Sequence, residues 1–124
     1  MNETVKTMLE RKSCREYKAE QITDDELQCV IEAGLAAPSG RNLQPTMIVA
    51  VQDKETIAKL SRINASVMGT DKDPFYGAPT VVVVLAKKSS RTSLEDASLV
   101  LGNMLLAAYS IGLGGCWIDR KSVV

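Results

Sequence analysis

The sequence predicts a protein of helices and strands in which helices flank a mixed or parallel sheet. Three observations carry this. Residues 46–52 (TMIVAVQ) and 80–86 (TVVVVLA) are apolar nearly throughout and rich in β-branched residues, as buried strands are. The segments around them repeat apolar residues at helical spacing, and several open on capping signals. The elements alternate as helix, helix, strand, helix, strand, helix, strand, with no internal repeat, low-complexity stretch or linker.

Each element has its own reason. Val5, Met8 and Leu9 fall on one helical face, so a first helix ends near Arg11. Thr23 and Glu26 form a capping box, with Asp24 and Asp25 in the first turn of a second helix. Leu27, Val30, Ile31 and Leu35 line its inner face, Cys29 joins the core there, and Pro38 stops it. The loop PSGRNLQP leads into the first strand, which reads as central. Asp53 caps a third helix with Ile57, Leu60, Ile63 and Val67 facing inward. The four valines at 81–84 suit a sheet covered on both faces. Ser93, with Asp96 or Glu95, opens a fourth helix running to about Ile111. That helix has almost no polar face, so it is buried in a core or between subunits. Gly112 caps its end, and GGCWI reads as a last strand.

Composition narrows the function. The 124 residues suggest a single domain, with 15 basic and 15 acidic side chains in balance. A nucleic-acid or membrane-surface protein would show a basic excess, and 4% aromatics leaves little for base stacking. The N-terminus lacks a signal-peptide pattern, and the most apolar stretch, 97–109, is too short to cross a bilayer. Three cysteines without a CxxC pair fit a reduced, cytoplasmic protein. No histidine is present, which excludes a histidine-dependent triad and a His-liganded zinc site.

Four stretches carry chemistry. RKSCREYK places Arg11, Lys12, Arg15 and Lys18 around Ser13 and Cys14. These cations either complement a helix C-terminus or form an anion cradle, in which the forked arginine donors suit phosphate oxygens. In PSGRNLQP, Arg41, Asn42 and Gln44 either belong to an ordinary helix-to-strand loop or read the edge of a heteroaromatic ring. GLGG lacks the lysine of a phosphate-binding loop and serves a tight turn or the close approach of backbone to a flat ligand. Cys14 is a bystander thiol or, among its cations, a thiol of lowered pKa.

Taken in order, Arg-x-Ser-x-Arg-x-Tyr, Ala-Pro-Ser-Gly-x-Asn-x-Gln-Pro, Gly-Ala-Pro before a valine strand and Gly-Leu-Gly-x-Cys-Trp-Ile resemble the nitroreductase family of flavin oxidoreductases. The resemblance covers about residues 3 to 119. It implies an α+β fold, a mostly antiparallel or mixed central sheet flanked by helices, and an intertwined homodimer with flavin mononucleotide (FMN) at the interface. By the family pattern, Arg11, Lys12 and Ser13 hold the phosphate and ribityl end, and Arg15 approaches the pyrimidine edge. Pro38, Ser39, Gly40 and Asn42 contact the flavin from the partner subunit. The backbone of Ile118 and Asp119 lies beside the reactive edge, and Asn64 is a further residue that could reach the ring. The implied reaction takes a hydride from NAD(P)H onto flavin N5 and reduces a nitroaromatic, a quinone or a similar acceptor. No metal and no catalytic side chain is implied, because the flavin carries the chemistry.

The sequence departs from that pattern after the Trp-Ile segment, where family members continue through another helix and a final strand. Here the sequence ends in DRKSVV, so residues 1–124 are expected to form one domain without those elements. The extension usually brings a basic residue to the flavin phosphate, and one such contact contributes ~1.5–3 kcal/mol. Losing a core strand would also leave an unpaired sheet edge and exposed apolar surface, so the expectation is an obligate dimer or a fragile fold. The alternatives are a family dimer that binds FMN poorly or not at all, and a plain anion-binding module.

Overall fold

A computed structural model gives the architecture and describes residues 1–118. Helices α1 (Glu3–Glu10), α2 (Asp24–Leu35), α3 (Lys54–Met68) and α4 (Ser93–Ser110) surround strands β1 (Thr46–Val51) and β2 (Val81–Ala86). A single 3-10 turn, Gly40–Asn42, lies between α2 and β1.

The helix starts follow the capping chemistry. Thr23 Oγ1 accepts from the Glu26 N–H at 3.1 Å, and Glu26 Oε1 accepts from the Thr23 N–H at 2.8 Å. This reciprocal box satisfies two otherwise unpaired donors, and a cap of this kind contributes about 1 kcal/mol. Asp53 caps α3 by accepting from the Thr56 N–H and hydroxyl, which holds its carboxyl below the usual range. At the far end of α4 the Gly112 N–H donates to Tyr109 and the Leu113 N–H to Ala108, a Schellman closure with Gly112 at φ 85°. Residue 112 therefore needs glycine. The start of α4 differs from expectation: Thr92, not Ser93, is the capping residue, and its hydroxyl turns to Asp96.

The core is built on α4. Val100, Met104 and Ala108 repeat every four residues on one face and meet Val30 and Ala37, with Ile48, Val82, Val84, Leu101 and Leu113 packed around them. Gly34 makes the α2–α4 approach possible, since a Cβ there would sit 2.8 Å from Met104 Cγ. Asn103 Nδ2 bridges the same two helices by donating to the Ala33 carbonyl at 2.9 Å.

β1 and β2 pair antiparallel, with Thr46 opposite Ala86 and Val51 opposite Val81. This fits the mostly antiparallel or mixed sheet implied by the family resemblance and rules out an all-parallel one. Period-two alternation sends Ile48, Val82 and Val84 into the core. Met47 and Leu85, paired across the strands, lie 62% and 51% exposed, so among the described residues the opposite sheet face is the covered one.

Three further expectations are corrected. Cys29 is exposed, because Val30 and Gly34 define the buried face of α2 and its neighbour points about 100° away. Leu35, Ile63 and Val67 are also exposed, while Asn64 and Ala65 form the buried part of α3. The GGCWI segment forms no strand among the described residues; its Gly115 carbonyl accepts one backbone bond, from the Cys14 N–H. No helix among the described residues is long and apolar enough to cross a membrane.

Candidate functional site

α1 ends at Glu10, and its last turn contains no basic residue. Arg11 leaves the helix with ψ 135°, so Lys12, Ser13 and Arg15 lie on non-helical backbone beyond the helix end. The cations are therefore not arranged as a last-turn complement to the helix dipole, which fades within that turn. Lys12, Ser13 and Arg15 are exposed and Arg11 is half-buried.

Glycines fix where this segment lies. The Cys14 N–H donates to the Gly115 carbonyl at 3.0 Å. A Cβ on Gly114 would stand 2.7 Å from Cys14 Sγ, and one on Gly115 would stand 3.0 Å from Leu105 Cδ2. The glycines thus admit the protein's own Cys14 and Leu105 at close range. Tyr17 closes the segment by donating its hydroxyl to the Cys14 carbonyl. Burial, with Cys14 and then Cys116 adding to it, pushes the Tyr17 hydroxyl up to about 12, so it remains a donor at neutral pH. Ile118, half-buried, ends the described part of the neighbouring strip, and Asp119 lies outside the described residues.

The second cluster is the loop from Pro38 to Pro45. Arg41, Asn42 and Gln44 have φ of 53°, 55° and 50°, left-handed values that non-glycine residues seldom adopt. The Gln44 N–H donates to Ser39 Oγ at 3.0 Å, and the Asn42 N–H to the Ser39 carbonyl at 2.9 Å. Pro38 and Asn42 are exposed, while Ser39 and Gly40 are half-buried. A cavity of about 310 Å³ opens beside the loop, with Pro38, Ser39, Gln44 and Asp96 in its wall.

The two clusters sit at different levels of α4. The loop meets Asp96 through Gly40, whereas Gly115, which holds Cys14, lies beside Leu105. Asp96 and Leu105 are about 14 Å apart along the helix axis at 1.5 Å per residue. Among the described residues, the hydrogen bond from Cys14 joins the Arg11–Arg15 segment to Gly115, and no hydrogen bond joins that segment to the loop. Asn64 is 8% exposed and donates to the Leu60 carbonyl of its own helix at 2.9 Å.

Residues 8–120 match the model of the nitroreductase family. The chain belongs to the nitroreductase family. An NADPH-flavin oxidoreductase of Vibrio harveyi is 34% identical over 129 residues, a match covering 95% of this chain and 54% of that protein. An FMN reductase [NAD(P)H] of Bacillus subtilis is 32% identical over 131 residues, covering 92% and 53%. The chain therefore spans about half the length of these curated relatives. A nitroreductase of Bacteroides fragilis, solved with bound FMN, superposes with a TM-score of 0.88 at 31% identity, covering 95% of this chain and 70% of that one. The nitroreductase α+β fold expected from the motifs is the fold observed.

Sequence reading missed Asp96 and Thr92 as parts of this site. Asp96 was legible only as a helix-start acid. Its partner, the Gly40 N–H, lies 56 residues away, and nothing local in the sequence points to it.

Proposed function

We propose that this nitroreductase-family chain is an FMN-dependent oxidoreductase. It would take a hydride from NAD(P)H and reduce nitroaromatics, quinones or similar acceptors. The observation that carries the reading is the placement of Arg11, Lys12, Ser13 and Arg15 on non-helical backbone beyond the end of α1. Two guanidinium forks, an ammonium and a hydroxyl within five residues suit a phosphate and its sugar-alcohol arm.

Arg11, Lys12 and Ser13 would hold the phosphate and ribityl end. Arg15 would place positive charge by the pyrimidine edge and favour negative charge there. Pro38, Ser39, Gly40 and Asn42 would frame the ring from a second copy of the chain. The Ile118 and Asp119 backbone would border the reactive edge. When bound, FMN supplies the hydride-accepting and electron-donating chemistry, so no acid–base side chain is required of the protein.

The second copy is supported by the separation of the two clusters along α4 and by uncovered apolar surface. Met8 and Leu9 of α1 are 54% and 67% exposed, and Met47 and Leu85 leave one sheet face open. Exposed apolar side chains of this kind are consistent with a covering second copy. Three unbridged cysteines support a reducing, cytoplasmic setting.

The test is steady-state oxidation of NADH and NADPH by FMN-loaded protein with a nitroaromatic or a quinone as acceptor. Turnover that needs FMN and stops on loss of the dimer supports the reading. An FMN-loaded dimer without turnover contradicts it.

A further inference from the structure

We propose that Asp96 is a positioning residue that clamps the loop 38–44 in its ligand-ready shape. This rests on the FMN reading above and extends it to a residue outside the cradle. Asp96 is 3% exposed. Its two carboxylate oxygens serve different elements: Oδ1 accepts from the Gly40 N–H of the loop at 3.0 Å, and Oδ2 accepts from Thr92 Oγ1 at 2.9 Å. A buried carboxylate needs such partners, so the loop and the start of α4 are tied through one side chain.

The loop requires a tie. Three of its residues, Arg41, Asn42 and Gln44, hold left-handed φ values, which persist only where surrounding structure over-determines them. The clamp sits immediately before the first of them. Gly40 admits the clamp, because a Cβ there would stand 2.5 Å from Thr92 Oγ1. Without Asp96 the loop relaxes, a smaller fraction of molecules is competent to bind, and apparent FMN affinity falls in proportion.

The chemistry of the clamp separates positioning from charge. In Asp96→Asn the amide oxygen can still accept from Gly40, and the amide NH₂ can donate to Thr92 Oγ1. Geometry is kept and the negative charge is lost. In Asp96→Ala both contacts go.

The experiment measures two quantities in wild type, Asp96→Ala and Asp96→Asn: hydrogen exchange of the Gly40 amide in flavin-free protein, and FMN dissociation constants by titration. The expected result is faster Gly40 exchange in Asp96→Ala, with FMN binding weakened about tenfold or more. Asp96→Asn is expected to stay within about threefold of wild type in both. If Asp96→Ala does not fold, Thr92→Val removes one clamp partner at nearly constant volume, with the same direction expected in both readouts. Unchanged Gly40 exchange in the folded variant, or faster exchange with unchanged FMN affinity, overturns the proposal. Equal weakening in Asp96→Asn and Asp96→Ala also overturns it, since charge alone would then be at work. A wild-type chain that takes up no FMN overturns the flavin reading and this one with it. That failure is distinct from wild type and Asp96→Ala binding FMN equally well.

Discussion

The backbone N–H of Cys14 donates to the carbonyl of Gly115 at 3.0 Å, and this bond joins the cation-rich segment after α1 to the strip that follows α4. Gly114 makes the approach possible, because a Cβ there would stand 2.7 Å from Cys14 Sγ and 2.9 Å from Cys14 Cβ. The cation-rich segment is therefore held against Gly114 and Gly115 at Cys14.

Gly114→Ala is expected to destabilise the fold by ~1–3 kcal/mol, the usual cost of forcing extra volume into a close contact. Thermal or urea unfolding measures it. Because part of the clash is with Sγ, Cys14→Ala in the same chain should recover part of the loss. Full additivity of the two changes would show that the residues do not meet in solution.

Tyr17 sets the alkaline behaviour of the same segment. Burial first, then Cys14 and Cys116, raise its hydroxyl from 10.0 to about 12. A group raised in the folded state contributes its full stability below the unfolded value and loses it as pH rises through the folded value. Wild-type stability should therefore fall between about 10 and 12, and Tyr17→Phe should fall less across that window. Urea unfolding across that range checks this, and parallel profiles for the two proteins would count against it.

Arg11→Ala is expected to weaken FMN binding by ~1.5–3 kcal/mol, the worth of one charge-assisted hydrogen bond. Riboflavin lacks the phosphate, so its affinity should change little. Titrating both ligands against both proteins separates a phosphate contact from general damage. Equal loss for the two ligands would return Arg11 to a structural role.

Arg15→Ala is expected to lower the midpoint potential of bound FMN, because a cation by the pyrimidine edge favours the more negative reduced ring. Spectroelectrochemical titration reads this directly. An unchanged potential would remove the electronic role and leave Arg15 a surface cation.

Much of this was legible in the sequence because it is local. Thr23 and Glu26 announce the start of α2 at fixed spacing, and Gly112 marks the end of α4 through a conformation that favours glycine. The ordered motifs gave the family and a mostly antiparallel or mixed sheet, where apolar runs alone left mixed and parallel sheets open. What failed depends on neighbours that periodicity cannot name. Ile63 and Val67 are apolar at helical spacing, yet they lie 47% and 59% exposed, and Asn64 is buried instead. Cys29 lies one residue from Val30, a rotation that is enough to place it outside. Residues 114–118 have strand-like composition but make no ladder among the described residues. Asp96 looked like a helix-start acid because its bond to Gly40 spans 56 positions.

The most direct test of the central claim is titration of the purified chain with FMN, followed by quenching of flavin fluorescence, with light scattering on the same sample. Micromolar or tighter binding by a dimer, with one FMN per chain, is the expected result. A stable monomer, or a dimer that leaves flavin fluorescence unchanged at high micromolar FMN, would contradict it.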